Sequence, residues 1–462
     1  MKGTNETNEE KLKAVYSVAQ VQAYEAMLVS TKVVTMEGLL SKASGALFRI
    51  CRQCTELNER ILIVCGKGLN GADGLMLAGH MAAAGFQVSV YCCAEIRDCK
   101  ELAQLAYEYA MSKGVIESKK IDLKQVDVCI DAMLGIGFEG KVSANLLKII
   151  EQINGWDGRV ISIDCPSGLS ADTGVVEGNA VAADMTIMLL LRKRGLYTFD
   201  AFDYRGELVF DDLGLGHQAE QWAVPEYRLL TVDGLAGVVE STKKNKRLNV
   251  HKYDFGTVLV VGGNTGMVGA SILAARACAK VGCGLVMLCV QDSVGLSEEN
   301  PDFVIVETKD VASVLANKKV DTVLVGPGLG RCDWARKVLK ACMQTQVPIV
   351  VDADALVLVA EESLVLSENT VITPHAGEAA KMLKCESQEI DNNRFSACSA
   401  LEKKYHASVV LKGAGTLINC LEKEKYIVDF ASETLAVAGS GDLLAGVIAG
   451  LIAQKIPINL AV

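Results

Sequence analysis

Gly439-Ser440-Gly441-Asp442, near the C-terminus, has the residue types and spacing best suited to chemistry in this chain. Small residues let backbone N–H groups turn toward a ligand, and the Gly- and Ala-rich apolar run that follows, up to Gln454, has helical spacing. A helix start adds a positive dipole end, so turn and helix together make a hole for an anion. Asp442 stands at its mouth, where a carboxylate can take a proton from an attacking hydroxyl. The plainer alternative is a tight turn and a helix N-cap, a position that Asp fills on its own account. On this stretch alone both stay open.

A second set of polar residues lies in the first half. The apolar run from Arg60 to Gly66 predicts a buried strand that ends in GKGLNGADG (66–74), a glycine loop carrying Asn70 and Asp73, followed by a helix stopped at Gly85. A strand over 126–131 closes on Asp131 and leads into a second glycine loop, Gly135 to Gly140. A third, over 159–164, closes on Asp164 and turns through Pro166, Ser167 and Gly168. Any one of these is explained by turn chemistry. In a parallel α/β sheet, however, such strand ends share one rim, and three together predict a site. Asn70, Asp131 and Ser167 supply hard oxygen donors of the kind that hold a cation.

The elements that must position these groups follow from the apolar periodicity. Residues 12–57 read as helical, and strands alternate with helices from residue 60 onward. After residue 216 the periodic pattern lapses, and the run Lys243 to Arg247 reads as a solvated linker, which puts a domain boundary near 220–240. The second half restarts with a strand, glycine loop and helix from Gly256. Its later strands end in Gly326 to Gly330, in Asp352 and Asp354, in Pro374-His375 and in a hairpin-like KGAG turn. The fold class is therefore α/β, built as two domains. With 462 residues and a net charge of −10, the chain is large enough for two cores and unsuited to nucleic acid. Its 16 cysteines are scattered through apolar segments as small hydrophobes, which suits a reducing cytoplasm; the single CxxC, Cys51 to Cys54, lacks a second pair at zinc spacing. No apolar run has the length of a membrane span, and the polar N-terminus is not a leader.

GLNGADG (68–74), DAMLGIG (131–137), DCPSGLSADTG (164–174), GPGLG (326–330), DADAL (352–356), TPHAGE (373–378), LKGAG (411–415) and GSGD (439–442) occur in this order. In them the chain resembles the bifunctional NAD(P)H-hydrate repair enzymes over nearly its whole length. The resemblance implies a Rossmann-like NAD(P)H-hydrate epimerase domain (1–222) and a ribokinase-like ADP/ATP-dependent dehydratase domain (223–462). It implies that Leu69, Asn70, Gly71, Ala72 and Asp73, with Gly135, Ile136, Gly137, Phe138, Glu139, Gly140 and Lys141, surround the hydrated nucleotide beside Asp164. It also implies that Asn70, Asp131 and Ser167 hold K+. In the second domain Ala270, Gly328, Gly330 and His375 would line the hydrate site. Lys412, Gly413, Ala414, Gly415 and Thr416, with Gly439, Ser440 and Gly441, would hold ADP or ATP with Mg2+. Asp442 would act at the reacting hydroxyl, and Asp164 would be the acid/base of the epimerase. A homo-oligomer without membrane or nucleic-acid partners is expected.

The sequence departs from the family pattern in places. Leu69 and Ala72 stand where Asn and Gly are usual, and Ser432-Glu433-Thr434 precedes the last loop where Asn and Gly are usual, so Glu433 is expected to bring negative charge toward the phosphate site. The last domain is expected to be shortened at Val462. Three other readings compete. A ribokinase-like kinase acting on a vitamin precursor or sugar fits GSGD and KGAG but leaves the first half unexplained. A nicotinamide dehydrogenase lacks a clean GxGxxG. A non-catalytic scaffold does not need the retained Asn70, Asp131, Asp164 and Ser167.

Overall fold

The computed structural model describes residues 12–231, 234, 249–292, 302–307, 311–317 and 320–462. The basic run at 243–247 lies outside them. The chain divides into two units, Ala14–Tyr227 and Arg228–Val462, the second including Met1–Lys13.

The first unit opens on a two-residue strand, β1 (Ala14–Val15), so the segment expected to be helical from residue 12 is interrupted at its start. Two helices follow, Val18–Ser30 and Met36–Cys54. Ser17 starts the first with a capping box shared with Gln20, and Thr35 starts the second by accepting from the Gly38 N–H. The sheet comprises β2 (Arg60–Cys65), β3 (Gln87–Cys92), β4 (Ile116–Glu117), β5 (Val128–Ala132), β6 (Arg159–Ile163), β7 (Met185–Leu189) and β8 (Glu207–Asp211). All neighbours are parallel, in the order β4-β3-β2-β5-β6-β7-β8. Alternate residues serve two cores, as the pleat requires. Ile61, Ile63 and Ile130 join the core with the first two helices, while Leu62, Val64 and Cys129 join Ile149, Ile150 and Ile153 on the other face.

The order reverses between β2 and β5. Chain direction leads outward through β3 and β4, then returns to the other side of β2. That reversal opens a crevice at the strand C-termini.

In the second unit the strands are β9 (Tyr227–Leu230), β10 (Thr257–Val261), β11 (Leu285–Val290), β12 (Val304–Glu307), β13 (Thr322–Val325), β14 (Ile349–Val351), β15 (Thr370–Ile372), β16 (Ser408–Leu411), β17 (Leu417–Asn419) and β18 (Lys425–Val428). Their order is β9-β18-β17-β16-β15-β14-β13-β10-β11-β12. β16, β17 and β18 form an antiparallel meander, and the KGAG turn joins the first two as a hairpin. The Arg228–Leu230 part of β9 pairs with β18.

The helix that begins at GSGD, Ser440–Ala453, packs against the Val268–Lys280 helix. Its glycines make this approach possible: a Cβ at Gly446 would lie 2.3 Å from the Ala274 carbonyl oxygen, and one at Gly450 would lie 3.1 Å from Cys278 Cα. The Gly/Ala composition that reads as an apolar stripe is a close helix–helix seam. It fixes the entry of the helix over the sheet.

All 16 cysteines are free thiols, and Cys332 is the exposed one. Burial pushes Cys92, Cys93, Cys289, Cys398 and Cys420 up to about 12. No described helix is long and apolar enough to cross a membrane.

Candidate active sites

The first site lies in the β2/β5 crevice. GKGLNGADG is not a loop throughout: the helix Leu69–Ala83 starts at Leu69, which puts Asn70 in its first turn and Asp73 at the start of its second. The reason is packing. A Cβ at Gly71 would fall 1.9 Å from the Gly66 carbonyl oxygen, and one at Gly74 would fall 2.6 Å from the Ala132 Cβ, so these glycines let the helix sit against its own strand and β5. Ala72 is wholly buried in the core behind it.

Asn70, Asp131 and Ser167 are brought together around Leu134. Asn70 Nδ2 donates to the Leu134 carbonyl (2.8 Å), and the Leu134 N–H donates to Ser167 Oγ (2.8 Å). Asp131, fully buried, accepts from Ser167 Oγ (2.6 Å), the Ser167 N–H (2.8 Å), Ser162 Oγ (3.0 Å) and the Met133 N–H (3.1 Å). Burial pushes its carboxyl up, and these donors pull it back. Asp131 thereby fixes the Ser167 turn, and its oxygens are occupied by protein donors. Asn70 Oδ1 is the unmatched atom: it is buried with no hydrogen-bond partner.

Asp164 follows β6 in a left-handed conformation (φ 66°), a strained choice for a residue with a side chain. Its Oδ1 accepts from the ammonium of Lys193, which is buried and also donates to the Leu189 carbonyl (2.7 Å). Around this pair stand two further carboxyls. Asp73 is held well above the usual range by burial, with the Asp164 and Glu25 charges adding to it. Glu25 is raised by burial, and Lys193 opposes the rise. The cleft in front of these groups has a volume of about 1100 Å³. Its lining includes Leu69, Asn70, Asp73, Gly135 to Glu139, and Asp164; Gly71, Ala72, Gly140 and Lys141 are not part of it. Lys193 and Glu25 were not singled out from sequence. Lys193 sits in an Arg-Lys-Arg run that reads as a surface turn, yet Arg194 pairs with Asp172 and Glu226 while Lys193 turns inward.

The second site forms where three adjacent strands, β14, β15 and β16, end in Asp352, Thr373 and Lys412. Buried Asp352 accepts through Oδ1 from Thr373 Oγ1 (2.8 Å) and Lys412 Nζ (2.9 Å). Glu378 Oε2 lies 3.7 Å from the same ammonium. The Ser440–Ala453 helix meets these strand ends at its first turn: a Cβ at Gly441 would stand 3.1 Å from Lys412 Nζ and 3.9 Å from Asp352 Oδ2. The missing side chain at Gly441 leaves open the space in front of the Lys412 ammonium. The helix N-cap is Gly439 (φ 88°), not Asp442, which lies in the first turn of the helix. Asp442 is therefore not needed as a cap. Burial, then the Asp352 charge, raise its carboxyl to about 6, against the opposing Lys412 ammonium.

Gly413 (φ 147°) faces the buried Arg394 guanidinium, where a Cβ would be 2.7 Å from Nη1; Arg394 donates to the Leu411 and Lys412 carbonyls and so holds the KGAG turn from below. Gly415 (φ 63°) and Thr416, whose Oγ1 donates to the Gly413 carbonyl (3.0 Å), complete the turn around Ala414. His375 caps the Ala376–Leu383 helix, with Nδ1 accepting from the Gly377 N–H (3.0 Å). Ala270 lies on the Val268–Lys280 helix, after β10. Gly328 (φ 59°) and Gly330 (φ 68°) follow β13, where the strand order reverses again; a Cβ at Gly328 would strike the Met267 carbonyl oxygen at 2.1 Å. Glu433 is exposed in a short turn, and the charges acting on Asp442 are those of Asp352, Lys412 and Glu378. Asp352 was visible in the sequence only as an acid ending a strand.

These two sites coincide with two family matches. Residues 36–195 match the family described as YjeF-related protein N-terminus, and residues 258–462 match that described as NAD(P)H-hydrate dehydratase. The bifunctional NAD(P)H-hydrate repair enzyme of Coxiella burnetii is 35% identical over 96% of this chain and 90% of its own length. That of Escherichia coli is 32% identical over 91% and 82%, and that of Leishmania infantum 31% over 96% and 85%. Among solved structures, a ribokinase-like protein from Enterococcus faecalis covers 50% of the chain and 82% of its own, at 27% identity and a TM-score of 0.45. With both halves matched in order and at this coverage, the chain belongs to the bifunctional NAD(P)H-hydrate repair enzymes, an epimerase domain followed by a dehydratase domain.

Proposed function

We propose that the unit Arg228–Val462 removes water from the S hydrate of NADH or NADPH by phosphoryl transfer through Asp442 and Lys412. The observation that carries this reading is the Asp442 carboxyl, raised to about 6 beside a glycine-lined space that faces the Lys412 ammonium. Hydroxide is a poor leaving group, so the C6 hydroxyl is first phosphorylated. Asp442 takes its proton as the oxygen bonds to the terminal phosphorus of ADP or ATP, and the bond from that phosphorus to the nucleotide's bridging oxygen breaks. The Gly439, Ser440 and Gly441 amides and Lys412 face the charge that develops. The ring nitrogen then expels phosphate from C6, loss of a C5 proton restores the double bond, and NAD(P)H results. Lys412 to Thr416 hold the nucleotide, and Ala270, Gly328, Gly330 and His375 line the hydrate. Among the described residues no group of three His, Cys, Asp or Glu could hold a metal ion, so Mg2+ would come with the nucleotide's phosphates.

For the unit Ala14–Tyr227 we infer that Asp164 moves the proton that interconverts the R and S hydrates, with Lys193 fixing its orientation. The orphaned Asn70 Oδ1, beside the Leu134 carbonyl, fits a weakly hydrated cation such as K+. Asn70 would hold it directly, with Ser167 and Asp131 setting the turn; when bound it would supply positive charge near the substrate. The free thiols support a reducing, cytoplasmic setting.

The test uses the whole protein and a mixture of both hydrates, with recovery of reduced-nicotinamide absorbance as readout. Wild type recovers both epimers, and only with nucleotide. Asp164→Asn stalls once the S epimer is consumed, and Asp442→Asn recovers neither. Turnover of a sugar or pyrimidine with ATP, and none of the hydrate, would support the kinase instead.

A further inference from the structure

The epimerase cleft is sorted by charge along the sheet. At the β6 end its lining includes Asp164, with Asp73 and Glu25 beside it. At the β3 and β4 end it includes Lys67, Lys100, Lys119 and Lys120, and no acid, while the segment joining β5 to β6 adds one charge of each sign, Glu139 and Lys148. The strands between run in the order β6-β5-β2-β3-β4, four spacings apart. At about 4.8 Å each, β4 stands roughly 19 Å from the proton-transfer end. An extended dinucleotide spans such a distance.

The lysines are arranged for an anion from outside the chain. The Lys100 N–H donates to the Lys67 carbonyl (3.2 Å), which joins the loop after β2 to the segment after β3. The Lys67 ammonium is near enough to oppose the burial-driven rise of the Cys99 thiol, so it leans toward the β3 side. Neither Lys67 nor Lys100 makes an ion pair among the described residues. Lys119 pairs with Glu117 (2.7 Å) and Lys120 with Asp122 (3.7 Å), acids that do not line the cleft and steer both chains at its rim. On a chain of net charge −10, Lys67 and Lys100 carry the positive charge at this end of the cleft, and Lys119 and Lys120 add to it in part, since Glu117 and Asp122 offset them.

We propose that this lysine end is a phosphate subsite that takes the 2′-phosphate on the adenosine half of the hydrate, so that the epimerase domain prefers the NADPH hydrate. This rests on the assignment of proton transfer to Asp164. The diphosphate in the middle of the dinucleotide falls instead to the start of the Leu69–Ala83 helix, whose free N–H groups suit it. The far end of the ligand is left for the lysines. The 2′-phosphate is the group that distinguishes the two hydrates there.

The experiment compares kcat/KM for epimerisation of the NADPH and NADH hydrates in wild type, Lys67→Gln/Lys100→Gln and Lys119→Gln/Lys120→Gln. All four side chains are exposed, so both variants keep the fold. Each double variant is expected to lose about tenfold on the NADPH hydrate and under threefold on the NADH hydrate, on the scale of charge-assisted contacts. Added salt shrinks the wild-type preference toward that of the variants. Equal losses on both hydrates would assign the lysines to the diphosphate and overturn the proposal; no loss on either would remove the subsite. Calorimetric Kd values for NADP+ and NAD+ give the same comparison without turnover. A wild type that epimerises neither hydrate yet loses its NADP+ preference in the variants would leave the subsite standing and refute the role of Asp164.

Discussion

Replacing Asp442 with Asn removes a charge and keeps the shape. The side chain occupies the first turn of the Ser440–Ala453 helix without capping it, so the helix start, set by Gly439, is undisturbed. Two opposite effects follow. Loss of a general base lowers the rate by about 10²–10⁴. Stability moves the other way, because the folded state holds this carboxyl at about 6, above its ordinary value of 3.8. Between these values the folded wild type binds more protons than the unfolded chain, so its stability falls as pH rises, and the full loss is present above about 6. The Asn variant escapes that loss. Its Tm should equal that of wild type near the lower value, exceed it increasingly through the window, and stay higher above it. In the dehydration assay, wild-type kcat/KM should fall with unit slope below about 6, reaching roughly a tenth of its plateau one unit lower. The variant's residual rate should be flat there. A variant rate within threefold of wild type, or a surviving acid limb near 6, would refute Asp442 as the base.

Three further outcomes test the same geometry. Asp352→Asn removes the charge that helps to raise Asp442, so the acid limb should shift below 6 while KM for the nucleotide rises, because Lys412 loses its 2.9 Å partner; pH profiles at saturating hydrate check both. Asn70→Ala removes the orphaned Oδ1 and should give an epimerase whose rate no longer differs between KCl and NaCl, with dehydratase activity unchanged. Gly71→Ala forces a Cβ to within 1.9 Å of the Gly66 carbonyl oxygen and should cost on the order of 1–3 kcal/mol by urea unfolding, whereas Gly68→Ala, which meets open space, should stay within about 0.5 kcal/mol.

Strand ends were legible in the sequence because buried parallel strands are short apolar runs and each ends at a polar turn. Asp164 and Lys412 directly follow their strands as that pattern puts them, and Asp131 lies one residue inside the end of its strand, Val128–Ala132. What local pattern does not carry is which way a side chain turns once the chain packs. Lys193 is the middle of three basic residues and reads as surface, yet it is buried with its ammonium on Asp164 and the Leu189 carbonyl. Asp352 looks like one of two equivalent acids, but Asp354 starts a helix and bonds the Gly330 N–H, leaving Asp352 to face Lys412. The GLNGADG glycines read as loop because glycine is a poor helix former; the helix forms there because close approach to a backbone outweighs propensity. The charge sorting of the first cleft depends on strand order, which residue spacing alone does not give.

The distribution of thiols gives this protein a single addressable handle. Fifteen cysteines are buried or half-buried, while Cys332 is exposed at the start of the Asp333–Cys342 helix, its Sγ accepting from Asn264 Nδ2 (3.2 Å). A maleimide dye at subsaturating ratio should therefore attach at one position, on the loop after β13 that also carries Gly328 and Gly330. Its emission would report hydrate arrival in real time on unmutated protein, separating capture of the damaged cofactor from the chemistry that mends it.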